Sequence, residues 1–161
     1  MIKGFSIPVP VALVALAALV LGATCGGGDP EKTVYEGRNL EIHVGDPVIV
    51  KRAFFSNNDI QYLLEVDDPG TRIVAVNVDV VNRRINITKL RVDAGSVEIG
   101  SGRTGERFGA LALFQEATTV TEAMPEDETF MPLLWGVFEL KRGFKSGGWI
   151  FFEVPVGLEL D

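Results

Sequence analysis

In the stretch Thr71–Asn82, TRIVAVNVDVVN, Val74, Val76, Val78 and Val80 fall on one face and Ile73, Ala75, Asn77, Asp79 and Val81 on the other. Period two marks a β-strand, here with a buried valine face and a mostly solvated opposite face. The β-branched residues suit a pleated surface. At ~3.3 Å per residue the strand is roughly 40 Å long. It needs partners on both edges and a second sheet over its valines.

Shorter alternations surround it. Leu40, Ile42 and Val44 alternate with Asn39, Glu41 and His43, and 48–55 reads as one second strand. Ile60, Tyr62, Leu64 and Val66 alternate next, and Asp67-Asp68-Pro69-Gly70 follows. Proline then glycine suits a type II turn, so 60–82 is expected to be a hairpin. Residues 97–99 and 108–114 read as short strands, 87–92 as either irregular or a short strand, 100–105 as a loop tip, and 115–128 as irregular. The last half of 130–140 is a strand, and 142–148 is a turn with three glycines. In 149–155, Ile150, Phe152 and Val154 share one face, and Trp149, Phe151 and Glu153 the other. Pro155 cannot donate a ladder bond and marks the strand's end or an edge. A helical turn is easiest at 111–116. Many short strands parted by Gly, Pro, Asn and Asp turns indicate an all-β, antiparallel β-sandwich.

The N-terminus has a different character. Residues 5–23 are almost wholly apolar after Lys3, with Pro8 and Pro10 early in the run. The 11 residues of 11–21 suit the h-region of a signal peptide and fall short of the ~20 needed to cross a bilayer. Cys25, the single cysteine of the chain, follows directly after Leu21-Gly-Ala-Thr. This placement resembles a bacterial lipobox, which implies a signal peptide over 1–24 and acylation of Cys25. Gly22 and Thr24 depart from the usual lipobox residues. An ordinary secretory signal and an uncleaved single-pass anchor are the alternatives. Residues 25–36, opening Cys-Gly-Gly-Gly, read as a flexible tether, and 37–161 as one domain.

Charge narrows the partners. The chain carries 22 acidic and 15 basic residues, and of the basic ones only Lys3 lies in 1–24. The net negative charge opposes phosphate backbones, so nucleic acid is not an expected partner. One cysteine allows no intrachain disulfide, so packing alone must hold the fold.

Three stretches share a family pattern: LEIHVGDPVIVKRAFF, RIVAVNVDVVNRR and FELKRGFKSGGWIFFEVPVG. They resemble domain-of-unknown-function family 4352, over about residues 37–160. The most specific part is 148–155, GWIFFEVP, which is similar to the family's closing strand. The resemblance implies an immunoglobulin-like sandwich of an exported bacterial protein. It implies no reaction, since the family has no shared active site.

The residues themselves offer little for catalysis. His43 is the one histidine and sits on the polar phase of its strand, where surface exposure is expected. No second histidine or thiol completes a zinc site, and no catalytic residue, metal or cofactor is assigned. Asp67-Asp68 and Glu126-Asp127-Glu128 match no calcium loop of known spacing and read as solvated turns. The candidate binding surface is aromatic: Trp149 and Phe151, extended by Phe130, Met131 and Trp135. It stands if that face is solvated. The alternative is that 115–136 folds across the sheet and covers the rings. The expected function is an exported, membrane-tethered module, anchored through lipid on Cys25, that binds a protein or cell-envelope component. The second reading is a small molecule held between the sandwich and loop 115–136.

Overall fold

The computed structural model describes residues 32–160. Residues 1–24, read above as a signal peptide, and Cys25 lie outside the described residues. Twelve strands form, numbered in chain order: β1 Thr33–Glu36, β2 Leu40–Val44, β3 Val48–Val50, β4 Arg52–Asn57, β5 Ile60–Glu65, β6 Thr71–Asn82, β7 Ile87–Val92, β8 Glu98–Gly100, β9 Arg107–Gly109, β10 Thr118–Val120, β11 Gly136–Lys141 and β12 Lys145–Pro155. A single helical turn, α1 Leu113–Glu116, and a 3₁₀ turn at Glu126–Glu128 interrupt them. The fold is an all-β antiparallel sandwich.

The long strand is the axis, as its pattern demands. β6 pairs antiparallel with β12 along one edge, and with β2 and β3 along the other. β1 adds to β2 and forms the outer edge of this central sheet. β1 lies inside the stretch 25–36 read as tether; Thr33–Glu36 pairs with Glu41–Val44, so the ordered domain starts before residue 37.

Both faces of β6 are covered, which corrects the expectation of one solvated face. Val74, Val76 and Val80 join Ile150, Phe152 and Val154 in a core with Val92, Ala110, Leu134 and Leu140. The β7–β11 and β8–β9 pairs supply that layer. On the opposite face Ile73, Ala75 and Phe151 pack against Ala53, Phe55 and Leu64 of the β4–β5–β10 sheet. This face turns polar only from Asn77 onward.

Two expected connections differ. β5 pairs with β4 and β10, never with β6, so 60–82 is a crossover between sheets and no hairpin. The turn itself exists: Thr71 N–H donates to the Asp68 carbonyl at 3.1 Å, and Gly70 N–H to Asp68 Oδ1 at 2.7 Å. Gly70 does not take the positive φ of a type II turn. The hairpin is instead β4–β5, closed by Asn58 and Asp59 at φ 50° and 63°, the left-handed pair of a type I′ loop. Residues 48–55 are also not one strand. The run breaks at Lys51, so β3 serves the central sheet and β4 the second one, a corner at which the chain changes sheets.

The turn after β11 is tighter than 142–148. Phe144 N–H donates to the Lys141 carbonyl, with Gly143 at φ 80°. Gly147 and Gly148 belong to β12 and are needed for close approach. A Cβ on Gly148 would sit 2.6 Å from the backbone of Pro132, Leu133 and Leu134, and one on Gly147 would sit 1.8 Å from Asp79 Oδ1.

Candidate functional site

Phe151 is fully buried and Phe130 is 6 % exposed, while Trp149 and Trp135 are half-buried. Phe130 meets Trp149 edge-on at 5.0 Å between ring centroids, and Phe151 at 5.6 Å. Phe130 and Phe151 are core and the two tryptophans pack half-buried against it, which corrects the reading of an open aromatic face; Met131 alone of the five is exposed. The cause is the 130–134 segment lying along the open edge of β12. Trp149 N–H donates to the Pro132 carbonyl, and Leu134 N–H to the Trp149 carbonyl. Further along that edge, Leu111 N–H donates to the Phe151 carbonyl. Phe130 and Leu113 fill the space beneath, in one core with Phe151.

The cavity lies on the other side of the central sheet. An open cleft of about 650 Å³ separates the valine face from the β7–β11 and β8–β9 layer. Its floor is Leu40, Ile42 and Val44 of β2, Val76, Val78 and Val80 of β6, and Ile150 and Phe152 of β12. Leu90, Val97, Ile99 and Phe138 form the facing wall. The covering layer packs over the β6 and β12 half of the sheet and leaves the β2 and β1 half open. Val78 is therefore only half-buried at mid-strand, between the buried Val76 and Val80, and Ile42 is 37 % exposed. Polar side chains sit at the rim: Thr33 and Tyr35 on β1, Asp46, Arg91, Ser96 and Glu98. Arg91 pairs with Asp93, whose turn also holds Ser96.

Behind the floor lies a charged layer. Asp79, nearly buried, accepts Lys32 Nζ at 2.9 Å and Lys145 Nζ at 3.2 Å, and Lys32 also reaches Asn77 Oδ1 at 2.5 Å. Burial pushes the Asp79 carboxyl up, but hydrogen bonds from the two lysines outweigh it and hold the group below the usual range. Lys32 directly precedes β1, so this pair pins the first residues of the rim strand to the central sheet. Glu41 accepts Arg83 through both oxygens at 2.6 Å, and its Oε1 lies 2.5 Å from His43 Nε2. His43 is thus part of an ion-paired layer and half-buried.

Arg83, then His43, hold the Glu41 carboxyl down at about 2, against an ordinary value of 4.5. A carboxyl whose pKa is lower in the folded than in the unfolded state contributes stability above its unfolded pKa. That contribution is lost as pH falls toward the folded value. The urea midpoint is expected to fall between pH 4.5 and pH 2, and to fall less steeply in Glu41→Gln. Parallel slopes for the two proteins would show that the pair carries no linkage.

Among the described residues, no three His, Cys, Asp or Glu side chains converge as a cation site. Asp68 is used by its own turn, and Glu128 pairs with Arg52 at 2.7 Å. Sequence reasoning placed Leu40, Ile42, Val44 and the β6 valines on an inward face. Alternation alone does not separate a side chain facing packed atoms from one facing a cleft. Compared with family models, curated proteins and solved structures, the chain matches none.

Proposed function

We propose that the chain is an exported, membrane-tethered binding module whose guest sits in the cleft between the central sheet and the β7–β11 layer. The apolar segment 5–23, the position of Cys25 and the resemblance to domain-of-unknown-function family 4352 support the address. The cleft carries the function. Its volume lies in the ~300–1,000 Å³ range of small-molecule sites, which are concave, mostly apolar and rimmed by a few polar groups. The protein works by binding rather than by catalysis. The guest does not sit beneath loop 115–136, because Phe130, Leu113 and Phe151 already occupy that space.

The test is native mass spectrometry of the full chain extracted from membranes, beside Val78→Phe. The new ring would enter the cleft, which the half-buried Val78 lines. A stoichiometric apolar adduct on wild type, lost from Val78→Phe at unchanged melting temperature, is the expected result. A second protein that co-purifies equally with both forms, and no adduct on either, would overturn the reading.

A further inference from the structure

We infer that the guest is an acyl chain of a membrane lipid, held with its polar end at the Thr33–Tyr35 rim; this rests on the tethered-module reading above. The first observation is the lining. Through its depth the cleft presents Leu, Ile and Val with two phenylalanines, and every polar side chain is at the rim. A guest carrying hydrogen-bonding groups along its length would leave them without water and without partners. That excludes sugars and nucleotides from the interior.

The floor of the cleft offers a peptide strand no edge to pair with. The floor strands β2, β6 and β12 are hydrogen-bonded to their neighbours in the sheet. The edges of β12 that β6 does not use are taken by Leu111, Pro132 and Leu134. Among the described residues no row of free N–H and C=O groups rises from that floor, and the unpaired edges of β1, β7 and β8 lie at the sides of the cleft. Phe138 and Phe152 stand among aliphatic side chains, and the third aromatic, Tyr35, is at the rim, so the interior offers no paired stacking platform for a planar ring system. A flexible alkyl chain needs neither hydrogen bonds nor stacking, and binds through apolar area alone.

The second observation is where the tether joins. Thr33, on the rim, is eight residues beyond Cys25. Eight residues span at most roughly 28 Å fully extended. With Cys25 anchored, the cleft opens at the side of the domain from which the tether leaves, within that distance of the bilayer. The apolar guest in greatest supply at that place is a lipid tail. The rim carries Arg91, Asp46 and Glu98, so it has no concentrated charge of either sign to demand one head group.

The experiment is displacement of a fluorescent fatty acid from the full-length protein by saturated fatty acids and lysophosphatidylglycerols of 10 to 18 carbons. Wild type, Cys25→Ser, Val78→Phe and Ile42→Phe are compared, with a planar aromatic sulfonate as the second probe class. Affinity is expected to rise about four-fold per added methylene until the cleft is full, then level off. Val78→Phe is expected to weaken binding of the longest chains at least ten-fold. Ile42→Phe, nearer solvent, carries the same test if Val78→Phe does not fold. Binding of the aromatic probe alone, sensitive to Val78→Phe, would overturn the acyl chain while sparing the cleft as a binding site. Binding by Cys25→Ser and refusal by wild type would assign the cleft to the protein's own lipid and overturn a lipid taken from the membrane. No binding of either class by any form would overturn both this inference and the proposed function.

Discussion

Phe151→Ala is expected to cost about 3–5 kcal/mol and to leave the domain largely unfolded at 37 °C. Phe151 is fully buried at the centre of an aromatic cluster, 6.2 Å from Phe55 and 5.6 Å from Phe130 by ring centroids. Phe55 in turn stacks on Tyr62 at 5.2 Å, and Phe114 meets both edge-on. Removing the Phe151 ring opens a cavity where the central sheet, the β4–β5 hairpin and the 130–134 segment meet. None of these can collapse into it freely, because backbone hydrogen bonds tie the 130–134 segment both to β12, at Trp149, and to β4, where Phe130 N–H donates to the Phe54 carbonyl. Urea unfolding followed by tryptophan fluorescence measures the loss, since Trp149 packs on Phe130 beside the cavity. A loss under 1 kcal/mol would mean that the ring is solvated, and would restore the aromatic face as a partner surface. The contrast with Val78→Phe is informative. Phe151→Ala acts on stability from the opposite face of the sheet, whereas Val78→Phe acts on the cleft.

Asn82→Ala is expected to destabilise the fold by about 3 kcal/mol, because buried backbone groups lose their partner. Asn82 ends β6 and is fully buried. Its Nδ2 donates to the carbonyls of Ile85, at 2.6 Å, and Leu140, at 2.8 Å, while its Oδ1 accepts the Ile85 N–H at 3.0 Å. Its backbone also bonds the β11–β12 turn, at Phe144 and Gly143. One side chain thus joins the long strand, the crossover to β7 and the end of β11. Alanine satisfies none of the three side-chain bonds. Asn82→Asp keeps the acceptor but loses both donors and is expected to fare no better. Equilibrium urea melts check this, and an unchanged midpoint would show that water replaces the amide at no cost.

Strand identity was legible because it rests on local alternation. The period of Thr71–Asn82, the two faces of 149–155 and the helical turn in 111–116 all follow from side-chain order along a few residues. So did the polar character of the second face at Asn77 and Asp79, although Asp79 is buried there against two lysines and is not solvated. Partners were not legible, because pairing is set by distant residues that share no local pattern. Asp67-Asp68-Pro69-Gly70 looks like a hairpin turn, yet β5 finds β4 and β10, and β6 finds β2, β3 and β12.

Burial of the aromatic face was decided at the same level. Trp149 and Phe151 carry the same side chains whether covered or bare. What covers them is the 130–134 segment bonding the edge of β12, which Gly148 permits by leaving no Cβ in its path. The cleft follows the same logic. The sequence determined an all-β sandwich with inward valines and an apolar N-terminal stretch ahead of a lone cysteine. Only the tertiary structure decided that the layer over those valines stops short of β2 and β1, because the offset between two packed sheets is a property of their contacts and of no single strand.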